Sequence, residues 1–366
     1  MTEKTKVGFV GLGLIGGSVA KSIRQYYPEY EIIAFDKNKE TLALATQESV
    51  IDVACTTIDD NFANCNYIFL CAPVSYNTAY LKQLMNYLHD DCILTDVGSV
   101  KSSIHKEVIH LGIEKYFIGG HPMAGSEKSG FVNSKALLIE NAYYIITPSE
   151  KVAPEKVDAY IAFIASLKAL PVKLSYEDHD YITGVISHLP HIIASTLVNF
   201  VKDTDSKDEI MKHLAAGGFK DITRIASSSP TMWQHICLKN GDNIVNILDQ
   251  YIHMLEDARE HVKSGSEQAI YEMFETSKNY RNSIPGGSAG PIKRAFAIYC
   301  DIIDEAGGIA AIATILAANN INLKNIGIVH NREFEEGVLR IEFYDEDSSK
   351  KAANILQKFR YVVYER

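Results

Sequence analysis

The pattern of apolar and polar positions divides the chain into three regions, of which the first is residues 1–150. Here short runs of β-branched and aromatic residues alternate with amphipathic stretches, which predicts the strands and helices of a parallel α/β domain. The predicted strands are KVGFVG (6–11), EIIAFD (31–36), YIFLCAP (67–73), CILTDVG (92–98), KYFIGG (115–120) and AYYIITP (142–148).

The second region, residues 151–281, has almost no strand signal. Apolar residues recur at helical spacing in YITGVISHLPHIIASTLVNF (181–200) and again in NIVNILDQYIHMLEDAREHV (243–262). The pattern predicts an all-α bundle. Its long apolar stripes suit the interface of a homodimer, so we expect the chain to pair through this domain.

The third region follows a linker. The stretch NSIPGGSAGP is rich in Gly, Pro and Ser, and it places the linker at residues 282–292. Residues 293–366 then follow the order β-α-β-β-α-β, beginning with the strand RAFAIYCDI and ending with RYVVYE. That order predicts a ferredoxin-like domain.

Charge and composition exclude several classes of protein. The 36 Lys and Arg residues are outnumbered by 46 Asp and Glu, which argues against a nucleic-acid partner because such proteins present a basic face. No apolar run approaches the roughly 18 residues of a membrane span. The glycines between positions 8 and 16 are untypical of a signal peptide, and the six cysteines form no CxxC pair. These features favour a cytoplasmic protein.

A glycine-rich motif predicts the cofactor. Gly11-Leu-Gly13-Leu-Ile-Gly16 follows a predicted strand and opens a helical stretch, and Asp36 ends the next strand 20 residues later. This is the context in which a helix N-terminus binds the pyrophosphate of a dinucleotide. Asp36 would bind the ribose hydroxyls and repel a 2′-phosphate, which favours NAD over NADP. The predicted cofactor contacts are Gly11, Leu12, Gly13, Leu14, Ile15, Gly16, Asp36 and Pro73.

The same rule places candidate chemistry beside the cofactor. Pro73, Ser99 and His121 each lie at or just past a predicted strand end, where α/β sheets bind their ligands. Imidazole titrates near neutral pH, so His121 suits a general base, although a lone histidine is more often hydrogen-bonded in a surface loop. The glycines around His121 would let the chain turn tightly off the strand.

The helical region contributes further candidates. His188 and His191 are three residues apart, but Pro190 separates them and no third ligand follows, so we predict no metal site. Lys220 and Arg224 would share one helix face. That face is either a solvated charged surface or, since GGF and SSSP bound the segment, the edge of a cleft where an arginine binds a carboxylate.

Five motifs together resemble the prephenate dehydrogenase family. They are GLGLIGGS (11–18), DVGSVK (96–101), GGHPMAGSEKSG (119–130), SHLPH (187–191) and FKDITRIASSSPTMW (219–233). The resemblance extends over residues 6–280. It implies a Rossmann domain, a helical dimerisation domain and the oxidative decarboxylation of prephenate by NAD to 4-hydroxyphenylpyruvate, CO2 and NADH, a step of tyrosine biosynthesis.

The resemblance also implies roles for individual residues. His121 would hydrogen-bond the ring hydroxyl of the substrate and accept its proton, with Ser99 supporting that hydroxyl and the nicotinamide. Arg224 would hold a substrate carboxylate, and His191 would assist at the other end of the substrate. An ionic gate over the site would consist of Glu127, Lys220 and Asp221.

The C-terminal region resembles an ACT domain, a small-molecule sensor, for which L-tyrosine is the expected effector. The helix that begins near Gly307 and Gly308 would offer backbone N–H groups to a carboxylate, although these glycines equally suit a plain turn. Such sensors act as paired domains, which again indicates a dimer.

Three other functions are compatible with parts of the sequence. Arogenate dehydrogenase performs the same chemistry on the aminated substrate. A β-hydroxyacid dehydrogenase shares the Rossmann-plus-helical layout but relies on a lysine base in the helical domain, which fits the His121 loop poorly. A non-catalytic sensor of NAD and an amino acid would have no need of His121, Ser99 and Arg224.

Overall fold

In the computed structural model, which describes residues 4–73, 76–125, 128–284, 296–302, 306–329 and 337–364, an eight-stranded sheet frames the first domain. Its strands are β1 (Lys6–Val10), β2 (Glu31–Phe35), β3 (Val53–Cys55), β4 (Tyr67–Leu70), β5 (Ile93–Asp96), β6 (Phe117–Pro122), β7 (Tyr143–Pro148) and β8 (Leu170–Lys173). Their order is β3-β2-β1-β4-β5-β6-β7-β8, and neighbouring strands are parallel except for β6 and β7. Chain order reverses at β1, so the loop after β1 lies where such sheets bind their ligands.

Helices cover both faces of this sheet. They are α1 (Leu14–Tyr26), α2 (Lys39–Gln47), α3 (Asn77–Leu84), α4 (Ser102–His110) and α5 (Pro154–Ser166). A strand buried on both faces needs apolar residues at nearly every position, which is why the central strands read VGFV and YIFL. Phe9 of β1 stacks on Phe69 of β4 with ring centroids 5.1 Å apart, in the core of one face. Val10 and Leu70 belong to the core of the other face.

The sheet differs from the predicted one at three places. The strand β3 has only three residues and gave no clear signal. The predicted domain boundary at residue 150 is too early, because β8 (Leu170–Lys173) pairs with β7 and completes the sheet. His121 and its two preceding glycines lie inside β6, paired with β7, and not in a turn after the strand.

The region after β8 is helical, as predicted. Its elements are α6 (Tyr176–Thr183), a π-helical turn (Gly184–His188), α7 (Leu189–Thr204), α8 (Ile210–Leu214), α9 (Gly217–Thr223), α10 (Pro230–Lys239), α11 (Gly241–Ser264) and α12 (Glu267–Ser283). Many apolar side chains on these helices are exposed in the single chain, including Phe200 at 65% and Phe274 at 65%.

The continuous helix Tyr176–Thr204 corrects the expectation that no segment is apolar enough to span a membrane. By length and composition alone it is, with a mean hydropathy of 1.3 over its most apolar window. The same helix nevertheless buries the polar side chains of His179, Asp180, Thr183 and His188. Such groups are expensive in a lipid environment, and here they take part in the hydrogen-bond network described below.

Clustering of contacts separates a second unit, Lys293–Arg366, from the unit Met1–Ile292. The second unit contains β9 (Phe296–Ile302), α13 (Gly308–Ala318), β10 (Asn325–Val329), β11 (Gly337–Phe343), α14 (Glu346–Lys358) and β12 (Val363–Tyr364). The strands form an antiparallel sheet in the order β10-β11-β9-β12, and both helices contribute to its core through Ile312 and Leu356. This is the predicted ferredoxin-like arrangement. Most of the predicted linker lies outside the described residues.

Candidate active site

The glycine-rich loop joins β1 to α1 and borders open space. Gly11 has a φ of +99°, a left-handed conformation that favours glycine. A Cβ at Gly16 would lie 2.6 Å from the carbonyl oxygen of Gly11, so α1 approaches the loop this closely only without a side chain. At Gly13 a Cβ would meet no atom within 4 Å, and α1 begins there without a side-chain cap. Backbone N–H groups at such a helix start suit a pyrophosphate.

Asp36 follows β2 and holds this loop in place. Its Oδ2 accepts a hydrogen bond from the backbone N–H of Leu12 at 2.8 Å, and its Oδ1 accepts one from Asn38 at 2.8 Å. The side chain of Leu12 is buried in the core, so Leu12 contributes its backbone and not its side chain. A carboxylate oxygen accepts more than one hydrogen bond, so Asp36 retains capacity for ribose hydroxyls.

A cavity of about 1280 Å³ extends from this loop along the carboxyl ends of the strands to the helical domain. Polar and aromatic groups from both domains line it, among them His188, Trp233 and Lys239. Most of the residues predicted from the sequence also line it: Gly11, Gly13, Leu14, Ile15, Gly16, Asp36, Pro73, Ser99, His121, His191 and Arg224.

Three side chains form a hydrogen-bonded chain that runs from His121 in the cavity wall to two residues behind it. Nδ1 of His121 lies 2.8 Å from Nε2 of His179, and Nδ1 of His179 lies 2.8 Å from Oδ1 of Asp180. Asp180 is completely buried and also accepts hydrogen bonds from the backbone N–H groups of Lys101 and Ser102, both at 2.7 Å. Burial opposes its ionisation, but these donors outweigh burial and lower the pKa of Asp180.

This chain assigns the proton of each ring. Because the Asp180 carboxylate can only accept, His179 must donate through Nδ1, and its bare Nε2 must then accept from Nδ1–H of His121. Nε2 of His121 is therefore left with a lone pair. Burial is the main cause that lowers the pKa of His121 well below its ordinary value, and the nearby His179 and Lys101 act in the same direction. His121 is thus neutral at pH 7 and able to accept a proton.

Glycines on β6 make room for the polar groups behind His121. A Cβ at Gly119 would lie 2.3 Å from Oγ1 of Thr147 and 3.0 Å from Nε2 of His105. A Cβ at Gly120 would lie 2.6 Å from the carbonyl oxygen of Asp96. The motif therefore needs two glycines because of close packing within a strand, and not because of the tight turn that the sequence predicted.

The π-helical turn between α6 and α7 aligns polar groups from its two ends. Asp180 and His188 are eight residues apart and would be separated by about 80° around an ideal α-helix. A π turn accommodates one extra residue, which reduces this angle to about 20°. Asn240, which directly follows α10, contacts both residues. Its Nδ2 donates to the backbone carbonyl of Asp180 at 2.8 Å and to Nδ1 of His188 at 3.1 Å.

The helical side of the cavity presents a cation and aromatic rings. His191 donates from Nδ1 to the carbonyl of Ser187 at 2.9 Å, and its ring stacks on Trp233 with centroids 3.8 Å apart. Burial lowers the pKa of His191, and the charge of Arg224 adds to this effect. Arg224 begins a short 3-10 turn after α9 and lines the same cavity. The arrangement suits a flat substrate that carries a carboxylate.

Comparison with known proteins is consistent with this geometry over nearly the whole chain. Residues 19–173 match the model of the prephenate dehydrogenase nucleotide-binding domain, and residues 175–276 match that of its dimerization domain. The prephenate dehydrogenase of Bacillus subtilis is 36% identical over 97% of this chain and 96% of its own length. That of Lactococcus lactis is 33% identical over 96% of this chain and 98% of its own.

The chain belongs to the prephenate dehydrogenase family. Its fold is similar to a crystal structure of the Aquifex aeolicus prephenate dehydrogenase in complex with hydroxyphenyl propionate and NAD+. The TM-score is 0.73 at 32% sequence identity, and the match covers 77% of this chain and 99% of that one. The resemblance inferred from the five motifs is confirmed, as is the Rossmann and helical architecture.

Some residues predicted for the site lie elsewhere. Lys220 and Asp221 are exposed on α9 and do not line the cavity. Lys220 lies in α9, and Arg224 begins the 3-10 turn that follows α9 directly. Glu127 lies outside the described residues, so the ionic gate stays a prediction. Among the described residues, no cluster of three or more His, Cys, Asp or Glu side chains is arranged to hold a metal ion.

Sequence reasoning missed the residues that support His121. His179 and Asp180 occur in the stretch YEDHDYIT, in which no residue was singled out from the sequence. Asp96 and Lys101 are the two ends of the DVGSVK motif, in which only Ser99 was singled out. The signal for Trp233 was its place in the FKDITRIASSSPTMW motif. Its Nε1 is buried without a hydrogen-bond partner among the described residues.

Proposed function

We propose that the cavity between the nucleotide-binding and helical domains is the active site in which His121 acts as the general base of prephenate oxidation. The chain is an NAD-dependent oxidoreductase of the prephenate dehydrogenase family, and its reaction is the oxidative decarboxylation of prephenate to 4-hydroxyphenylpyruvate. The observation that carries the assignment of His121 is the chain His121–His179–Asp180, which leaves Nε2 of His121 able to accept a proton beside the cavity.

The residues around the glycine-rich loop fit a dinucleotide. The open space at Gly13, the uncapped start of α1 and the carboxylate of Asp36 would hold the pyrophosphate and the adenosine ribose. NAD, when bound, supplies the hydride acceptor. Pro73 and Ser99 line the cavity between this loop and His121, and we assign Ser99 to the support of the substrate hydroxyl.

The residues of the chain remove one proton from the substrate and hold the substrate in position. His121 takes the proton of the ring hydroxyl through Nε2, which turns the hydroxyl into a carbonyl as hydride departs. When CO2 leaves, its bonding electron pair makes the ring aromatic and the ring oxygen regains a proton as the phenol of 4-hydroxyphenylpyruvate, so the reaction is downhill once it begins. Arg224 pairs with one substrate carboxylate, and His191 binds the other end of the molecule.

Two substitutions test these roles by formation of NADH, followed by absorbance with NAD and prephenate. His121→Asn should lower kcat by about 10²–10⁴-fold, the usual contribution of a general base, with little change in KM. Arg224→Ala should chiefly raise the KM for prephenate. If both variants change kcat and KM to the same extent, the separate roles are wrong. Parallel assays with arogenate and with NADP decide the substrate and cofactor preference.

Regulation and assembly extend this proposal. We assign L-tyrosine as an effector of the C-terminal unit, where Gly307 caps α13 with a φ of +95° and the helix start is exposed. We also infer a cytoplasmic homodimer formed through the helical domain, whose exposed apolar side chains, such as Phe200, need a partner. Isothermal titration of the full chain tests the effector: absence of heat on addition of L-tyrosine would exclude it.

A further inference from the structure

A buried lysine lies directly behind the strand that carries His121. The side chain of Lys101 is completely buried, and its Nζ bonds the carboxylate of Asp96 and donates to the carbonyl of Gly120 at 2.7 Å. Asp96 returns to the same peptide, accepting from the N–H of Gly120 at 3.2 Å, and also accepts from Gly98 at 2.9 Å. The pair therefore ties the loop after β5 to the residue immediately before His121.

The backbone of the same lysine reaches His121 by a second route. The N–H of Lys101 donates to Oδ1 of Asp180 at 2.7 Å. Asp180 orients His179, which in turn accepts from His121. These contacts form a closed ring. From the ammonium group of Lys101 the ring runs through Gly120 to His121, and from His121 it runs through His179 and Asp180 to the backbone N–H of Lys101.

We propose that Lys101 is a positioning residue that fixes the catalytic base, holding the His121 backbone through Gly120 and the His121 ring through Asp180. The proposal rests on the role of His121 proposed above. Lys101 does not line the cavity, so it acts on the substrate through residues that do, and both of its hydrogen-bonded routes lead to His121. This distinguishes it from a lysine that binds a substrate carboxylate.

The buried ammonium group of Lys101 also affects the pKa of His121. An ammonium group without solvent is costly, and burial lowers the pKa of Lys101, opposed by the nearby Asp96. The groups that act on His121 are His179 on α6, His188 on the π turn and Lys101, with burial as the largest effect. A positive charge behind the ring disfavours protonation of His121 and so keeps the base neutral at lower pH.

The matched experiment compares Lys101→Met, Lys101→Arg and the surface control Lys115→Met in the full chain, with kcat for prephenate measured across pH. Lys101→Met removes the donors and the charge. We expect kcat to fall by about 100-fold, the cost of a displacement of about 1 Å. The acid limb of the kcat profile should move to higher pH, because loss of the cation raises the pKa of His121.

The other two variants separate charge from packing. Lys101→Arg keeps the cation, so its acid limb should stay at the wild-type pH while kcat falls, since a planar guanidinium cannot reproduce both bonds of the ammonium. Lys115 is exposed, pairs with Asp90 and lies over the ring of Tyr116 away from the cavity, so Lys115→Met should change neither kcat nor the profile. If Lys101→Met fails to fold, Lys101→Arg carries the test. A shifted acid limb or unchanged kcat in Lys101→Arg would overturn the proposal.

Combination with His121→Asn distinguishes this proposal from the proposed function. If Lys101 acts through His121, Lys101→Met should lower kcat far less in the His121→Asn background than in the wild type. An equal fold-loss in both backgrounds, or a Lys101→Met enzyme with wild-type kcat, contradicts the positioning role. If His121→Asn alone keeps wild-type kcat, His121 is not the general base, and the proposed function is wrong whatever the result for Lys101.

Discussion

Asp180 offers the sharpest test of how His121 is held. It lies behind the cavity wall, yet it decides the tautomer of both histidines because it accepts from Nδ1 of His179. In Asp180→Asn a single amide oxygen would have to serve His179 and the backbone N–H groups of Lys101 and Ser102, which now occupy both carboxylate oxygens. The amide group would face at least one of these donors with its own N–H.

The expected effect on catalysis is large. If the amide donates to His179, both rings exchange tautomers and Nε2 of His121 carries a proton, so the base is blocked. In serine proteases an aspartate orients the catalytic histidine in the same way. Its replacement by asparagine lowers kcat by about 10⁴-fold, which corresponds to about 5.4 kcal/mol in activation free energy. Three hydrogen bonds to a buried charge at 2.7–2.8 Å are also affected. At about 1.5–3 kcal/mol each, loss of one should be visible in the unfolding free energy.

The assay is the initial rate of NADH formation at saturating NAD, with chemical denaturation alongside. We expect kcat to fall by at least about 10³-fold while the KM for prephenate changes little, since Asp180 does not line the cavity. The matched control is Asp178→Asn, an exposed residue on the same helix, which should retain kcat. A kcat within tenfold of the wild type, or an effect confined to KM, would refute the tautomer argument.

Three further predictions concern stability, cofactor binding and pH. Gly119→Ala should destabilise the fold by about 3 kcal/mol in a denaturant titration, because its Cβ would lie 2.3 Å from Oγ1 of Thr147. Gly13→Ala should leave that stability nearly unchanged, since no atom lies within 4 Å, but should raise the dissociation constant for NAD measured by fluorescence. Burial lowers the pKa of His105 to about 3 and that of His188 to about 4. The unfolded chain therefore binds more protons below pH 6.5, and the unfolding free energy should fall by about 4 kcal/mol between pH 7 and pH 5; no loss over that range would contradict the burial of these rings.

Much of the fold followed from local patterns, because each pattern reports a nearby physical need. Strands covered on both faces are apolar throughout. In the loop after β1, Gly11 allows the turn, Gly13 leaves room for the cofactor and Gly16 lets α1 approach the loop closely. Two short strands were not predicted. The strand β3 has only three residues, and β8 has the sequence LPVK and follows a long helix. Such strands form because a neighbouring strand offers a ladder, which is not visible in their own composition.

The site was predictable where a side chain faces the cavity and obscure where it acts behind the wall. Ser99, His121 and Arg224 were found from their motifs, and all three line the cavity. The role of His179 depends on a pairing across 58 residues of sequence, and no local spacing records it. Similarly, the glycines of β6 looked like turn residues, because the polar layer that they accommodate comes from distant segments.

The π turn Gly184–His188 links two properties of the protein that are usually considered separately. The helix α7 that follows it carries His191 on the cavity side and Phe200 among its exposed apolar residues. If the same residues formed a regular α-helix, all of α7 would be rotated by about 100° and moved forward by about 1.5 Å. The histidine would leave the ring of Trp233, and the apolar surface would face a new direction. A change of this turn from π to α geometry would therefore alter the cavity and the exposed apolar surface of the helical domain in a single step, whereas point substitutions along α7 can alter either one alone.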